Sequence, residues 1–179
     1  TLYHWDLPQA LEEAGGWTNK NTVEAFVEYA RVCFEAFGDR VKHWITFNET
    51  IVFCAHGYLA GAHPPGIVND PKKYFQATHN VFLAHGRALK EYKRLNQYGE
   101  IGITHVFSPA FSIDDNKDNI WAADHSNEFE LNWYYDPILK GNYPEYVVNI
   151  IENNGWTPDW TATELNEIKE AAALNEYRF

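Results

Sequence analysis

The stretch V-K-H-W-I-T-F-N-E-T-I-V-F-C-A, Val41 to Ala55, sets the reading of this chain. It opens as a β-favouring run, Val41 to Phe47, then places an amide and a carboxylate side by side, Asn48 and Glu49, before turning apolar again. A carboxylate inside an apolar run costs several kcal/mol unless it is paired, neutralised or turned towards a site. Two kinds of role are therefore open to Glu49. It can cap the next helix or pair with a Lys or Arg, or it can face a pocket and do chemistry there.

Working outward, strand and helix signals alternate. T-L-Y-H-W-D-L-P at the start is a short β-favouring run stopped by Pro8, and G-G-W, Gly15 to Trp17, marks a loop. Asn21 is expected to cap a helix, with Glu24 completing a capping box. Val23, Phe26, Val27, Ala30, Phe34 and Phe37 recur at helical spacing until Gly38. After the central strand, the H-P-P-G loop, His63 to Gly66, leads to Asp70-Pro71, a cap and first-turn proline that open a long helix to about Gln97. E-I-G-I-T-H-V-F, Glu100 to Phe107, is the third strand. Helices follow over about Asp118 to Tyr135, after Pro144, and after the capping box T-A-T-E, Thr161 to Glu164, with a further strand expected to begin near Asn175 to Phe179. This order is that of βαβ units with parallel pairing and right-handed crossovers. Three strands cannot close a barrel or bury both faces of a parallel sheet, so the α/β body is read as part of a larger one.

Composition narrows the function classes. At 179 residues, 45% hydrophobic and 22% charged, the chain is long enough for one globular domain, and no apolar run approaches the roughly 20 residues of a membrane helix. A net charge of −11 argues against a nucleic-acid partner. Aromatic residues make up 16%, serving either a large aromatic core or surfaces that stack on flat ligands such as sugar rings. Cys33 and Cys54 give no disulfide framework and are expected to be reduced, buried thiols. With no Met and no leader pattern, the chain reads as an internal piece of a longer protein. No metal motif is present, and His79 and His85, six apart, belong to different helix faces. D-D-N-K-D-N, Asp114 to Asn119, resembles a calcium loop but has Asn119 where the sixth position needs Gly and His125 where the twelfth needs Glu, which makes it a solvated acidic loop. Asn48-Glu49-Thr50 matches a glycosylation pattern only by chance at such a position.

In parallel α/β architectures ligands bind at the C-terminal strand ends. Those ends carry His4, Trp5 and Asp6, then Asn48 and Glu49, then His105 and Ser108. A carboxyl group among apolar and aromatic neighbours holds its proton and can act as a general acid near neutral pH. Glu49 is the candidate for that role, and Asn48, which does not titrate, is suited to holding a hydroxyl.

Taken in order and spacing, T-L-Y-H-W-D-L-P, G-G-W, W-I-T-F-N-E, G-Y-L-A-G-x-H-P-P-G and E-I-G-I-T resemble the middle of glycoside hydrolase family 1, which contains β-glucosidases and 6-phospho-β-glucosidases. The resemblance covers nearly the whole chain. It implies a partial (β/α)₈ TIM barrel, residues 1–179 forming about three of eight βα units with the third to fifth strands. It implies a retaining β-glycosidase with Glu49 as general acid/base, Asn48 holding the hydroxyl beside the anomeric carbon, and His4 and Trp5 lining the pocket for the non-reducing sugar. Trp17 and Trp44 match family positions and are read as packing and loop anchors. The implied partner is a β-glucoside or 6-phospho-β-glucoside, in the cytoplasm, with no metal or organic cofactor. Retention needs a second carboxyl group about 5 to 5.5 Å from the first. That nucleophile belongs to a T-E-N-G-like motif on the seventh strand, and no such sequence occurs here. Thr50 stands where the family commonly has Pro, and T-H-V-F-S-P is closer to the phospho-glucosidase branch than to sequences with I-T-L-N. Rival readings are a non-catalytic sugar-binding or interaction protein on a decayed barrel, and a truncated gene product whose open sheet edges pair with other chains.

Overall fold

In a computed structural model, which describes residues 1–174, the alternation of strand and helix is present in the expected order. The elements are α1 (Gln9–Glu13), α2 (Lys20–Phe37), β1 (His43–Asn48), α3 (Thr50–Tyr58), α4 (Pro71–Arg94), β2 (Glu100–Thr104), α5 (Lys117–Asn127), α6 (Trp133–Leu139), α7 (Glu145–Asn153) and α8 (Ala162–Leu174). The strand expected near Asn175 to Phe179 lies outside the described residues.

β1 and β2 pair in parallel, with His43 opposite Glu100, Trp44 opposite Ile101 and Ile45 opposite Gly102. The first segment adds one parallel bridge, Tyr3 to Phe47, on the other edge of β1. Its Leu2 and Tyr3 N–H groups donate to the Ile45 and Thr46 carbonyls at 2.7 and 3.0 Å. The three strands read from the sequence are thus a two-stranded sheet plus a bridge. Pairing stops after Tyr3 because Trp5 turns to φ 78°, leaving the extended region that a ladder needs. β2 is also shorter than expected, ending at Thr104 and not at Phe107. Its partner turns into α3 at Glu49, whose N–H takes the Thr104 carbonyl at 2.9 Å as the last bond of the ladder.

The register of β1 shifts between Ile45 and Asn48, a local irregularity of the kind that re-aims side chains next to a site. Thr46 and Phe47, consecutive and both fully buried, have partners in the helix layer: Thr46 bonds His85 of α4 at 2.8 Å, and Phe47 stacks on Phe26 of α2 at 4.3 Å. Trp44, read as a packing residue, is buried against Phe34 at 5.0 Å. Trp17 is likewise buried, between Tyr3 and Phe47 at 5.3 Å from each. Much of the aromatic content therefore builds core.

α2 buries Val23, Phe26, Ala30 and Phe34 as the spacing predicts, while Phe37 is exposed. Its cap is Asn19, which accepts from the Asn21 N–H at 2.9 Å, in place of the expected Asn21. The 3₁₀ turn Gly16–Thr18 delivers the chain two residues earlier, and Glu24 is thereby free to pair with Arg87 of α4. α4 is capped by Asp70, which accepts from the Lys73 N–H at 3.0 Å, with Pro71 in its first turn. It ends at Arg94, short of Gln97. From Tyr74 to Leu89 it is buried on nearly every side, because α2, α3, α8 and the sheet all pack on it. The helix read over Asp118 to Tyr135 is α5 continued through a π-turn, Glu128–Asn132, into α6. At the start of α8 the capping box is reciprocal: the Thr161 N–H donates to Glu164 at 2.7 Å and the Glu164 N–H to Thr161 Oγ1 at 3.2 Å. Cys54 is buried and Cys33 half-buried, both free. No helix among the described residues is long and apolar enough to cross a membrane.

His79 and His85 do lie on different faces of α4. The first bonds the Tyr143 hydroxyl at 2.8 Å, the second the Thr46 hydroxyl. Burial pushes His79 down to about 4, His85 to about 3 and His105 to about 4 from the ordinary 6.5. These groups are neutral in the fold and free to charge when unfolded, so their stabilising contribution is complete above pH 6.5 and is lost as pH falls towards 4. At pH 5 each costs about 2 kcal/mol relative to pH 7. Urea midpoints measured at pH 7 and pH 5 should show a large drop, and equal midpoints would contradict the burial of these rings.

Candidate active site

Three chain segments meet where the strands end, and each supplies a polar group held by its neighbours. Asn48 is the meeting point. Its N–H donates to the Tyr3 carbonyl at 3.0 Å, its carbonyl accepts from Trp5 Nε1 at 2.8 Å, and its Oδ1 accepts from the Thr104 hydroxyl at 3.1 Å. Trp5 comes from the first segment, Asn48 and Glu49 from the end of β1, Thr104 from the end of β2. The sequence-predicted residues Trp5, Asn48 and Glu49 are therefore brought together. His4 adjoins them, exposed, with its ring 5.1 Å from that of Trp5 and its N–H 3.4 Å from Asp6 Oδ1.

Glu49 is half-buried at the N-cap position of α3, yet its side chain makes no capping bond. Among the described residues no hydrogen bond or ion pair engages its carboxyl group, so neither bland role, helix cap or Lys/Arg partner, is filled. Its backbone is in the left-handed region, φ 51° and ψ 68°. Four non-glycine residues among those described have positive φ: Trp5, Glu49, Asn69 and Asn96. Asparagine tolerates that conformation; tryptophan and glutamate do so at a cost of about 1 to 2 kcal/mol. Both costly residues sit at the strand ends, which is where strain concentrates when a fold over-determines a functional constellation.

The structure corrects the third strand end. His105, grouped with the mouth in the sequence reading, turns its ring into the body, 6.0 Å from Tyr134 and 5.4 Å from Tyr135, with both ring nitrogens shielded from solvent. Ser108 lies beyond β2 and is exposed. The group that β2 does present is Thr104, whose only sequence signal is its place as the last residue of a G-I-T run at a strand end. His63, read simply as part of a loop, also reaches this region: its ring lies 5.4 Å from Trp5 and 5.1 Å from His56. A cavity of about 150 Å³ beside it is lined by Trp5, Leu7, Trp17, Phe53, Tyr58 and His63, among others, and does not include Glu49.

Among the described residues no group of three or more His, Cys, Asp or Glu side chains is placed to hold a metal ion. The Asp114 carboxyl group accepts from the Asn116 N–H and from Asn119, at 2.9 and 2.8 Å, and these bonds hold it below the usual carboxylate range. Chemically, the strand-end cluster offers, among the described residues, a carboxyl group without a partner beside an amide whose Nδ2 hydrogens have none. Such a pair can exchange a proton with one ligand atom and donate a hydrogen bond to another.

A family model described as Glycosyl hydrolase family 1 matches residues 1–178. The chain is 38% identical over 167 residues to Aryl-phospho-beta-D-glucosidase BglC of Bacillus subtilis (strain 168), covering 93% of this chain and 35% of that protein. It is 37% identical over 180 residues to Beta-glucosidase A of Acetivibrio thermocellus, covering 99% of this chain and 40% of that one. The crystal structure of a beta-glucosidase from Exiguobacterium marinum matches with a TM-score of 0.87 at 35% identity, over 93% of this chain and 38% of the other. The chain thus spans well under half the length of the relatives it matches.

Relief of strain gives a direct check on the geometry. Glu49→Gly should raise stability by about 1 kcal/mol, since glycine adopts positive φ freely and serves at a helix N-cap. Trp5→Phe should lower it by about 1 kcal/mol through loss of the Nε1 bond to Asn48. Denaturant unfolding of the two variants reads both signs, and a destabilised Glu49→Gly would mean that the left-handed turn carries no strain.

Proposed function

The chain belongs to glycosyl hydrolase family 1, and from that premise we propose that it forms the acid/base side of a retaining β-glycosidase acting on β-glucosides or their 6-phosphates. The observation that carries this reading is the half-buried Glu49 carboxyl group, unpaired among the described residues and held in a strained turn beside Asn48 where the strands end. Glu49 is the general acid that protonates the departing oxygen and later the base that activates water. Asn48 holds the hydroxyl next to the anomeric carbon, while His4 and Trp5 line the non-reducing sugar. This chemistry uses two carboxyl groups and no metal or organic cofactor.

The second carboxyl group is taken to come from outside these residues, since no T-E-N-G motif occurs in them and the nearest stretch, E-N-N-G at Glu152 to Gly155, closes helix α7 and not a strand. The sheet edges beside the first segment and beside β2, which carry no further strand among the described residues, are where the remaining strands of a (β/α)₈ barrel would pair, and in the isolated chain they favour self-association. Relatives named for both phosphorylated and free glucosides keep both substrate classes in the proposal. Two free thiols, Cys33 and Cys54, fit a reducing, cytoplasmic setting.

Two measurements test the assignment. The pure 179-residue chain should not turn over an aryl β-glucoside, and turnover abolished by Glu49→Gln would overturn the need for an outside nucleophile. In the complete barrel protein carrying these residues, Glu49→Gln should lower kcat on an alkyl glucoside by about 10² to 10⁴. A dinitrophenyl glucoside, whose leaving group needs no proton, should suffer far less in its cleavage step. Equal losses on the two substrates would remove Glu49 from the acid role.

A further inference from the structure

We propose that Thr104 is a positioning residue that fixes which half of the Asn48 amide faces the sugar, so that Asn48 meets the hydroxyl beside the anomeric carbon as a donor, through Nδ2. This inference rests on the reading of Asn48 as a substrate contact and deepens it. Asn48 has four polar groups, and three are committed to three different residues: N–H to Tyr3, backbone carbonyl to Trp5 and side-chain Oδ1 to Thr104. The remaining group, Nδ2, has no partner among the described residues. The backbone is thus pinned on both sides, and what decides the side chain's polarity is the Thr104 hydroxyl.

That hydroxyl has one proton and two acceptors in reach, Asn48 Oδ1 at 3.1 Å and the Phe47 carbonyl at 3.5 Å. The shorter contact is the closer to an ordinary O–H···O distance and takes the proton. Once Oδ1 is an acceptor for Thr104, rotating the amide by half a turn would place Nδ2 against Oγ1 and push the Thr104 proton onto the longer contact. The arrangement in place therefore keeps one acceptor filled and aims donors at the ligand. Thr104 does this without touching the substrate. Its backbone carbonyl, which takes the Glu49 N–H at 2.9 Å, is shared by any residue at this position, so a side-chain substitution separates the two roles.

The test is a coupling experiment in the complete barrel protein. The ratio of kcat/KM for a β-glucoside to that for its 2-deoxy analogue measures what the 2-hydroxyl contributes, and it is independent of how much enzyme is folded. Thr104→Val keeps the shape and removes the hydroxyl; it should lower this ratio about tenfold, the order expected for one misdirected hydrogen bond. Thr104→Ser, which keeps the hydroxyl, should restore it. A ratio unchanged in Thr104→Val, or lowered equally in Thr104→Ser, would overturn the positioning role while leaving the substrate contact of Asn48 intact. A ratio unchanged in Asn48→Ala would instead remove that contact itself, and with it the role built upon it.

Discussion

One backbone hydrogen bond, from the Glu49 N–H to the Thr104 carbonyl at 2.9 Å, ends the parallel ladder and begins the site. It lets β1 turn into α3 without leaving a donor unmet at a half-buried strand end. It also holds Glu49 in the left-handed region, where its carboxyl group meets neither a cap nor a cation among the described residues. The side chain of Thr104 then reaches across to Asn48, so a single residue of β2 organises both members of the amide-carboxylate pair. Strained turns of this kind persist only when surrounding bonds over-determine them. Here Tyr3, Trp5 and Thr104 do so from two neighbouring segments.

The helix layer supplies the rigidity behind this arrangement. The shift in β1 puts Thr46 and Phe47 in contact with α4 and α2, and an aromatic group of Tyr3, Trp17, Phe26, Phe47 and Phe53 locks the first segment to β1. On the far side of α4, Glu164 closes its own capping box, pairs with Lys20 at 2.9 Å and stands 3.9 Å from His79. One carboxylate thereby ties α8 to α2 and α4. Its hydrogen bonds from Lys20 and Thr161 outweigh the cost of burial and hold it below the ordinary glutamate range.

Features set by local chemistry were legible in the sequence. Asp70-Pro71 and T-A-T-E each satisfy a helix start within four residues, and both open helices where they were read. The pairing of Asn48 with Glu49 at a strand end was legible because a carboxylate in an apolar run demands an explanation. Features set by distant parts of the chain were not legible. Whether Asn19 or Asn21 caps α2 depends on the two-glycine turn before it, and the length of β2 depends on where β1 ends. The inward turn of His105 depends on Tyr134 and Tyr135, some thirty residues downstream. Thr104 carries no local signal, since its role exists only once β1 and β2 are in register.

The burial of α4 on nearly every side, against an α5 that buries no residue, divides the molecule by how its amide protons can reach solvent. Protons in the middle of α4 are freed only when α2, α3, α8 and the sheet all come away together, so their exchange reports unfolding of the whole body. Those of α5 can be freed by local opening. Deuterium uptake along the chain thus separates a fast, peripheral segment beyond β2 from a slow centre that serves as an internal clock for global stability.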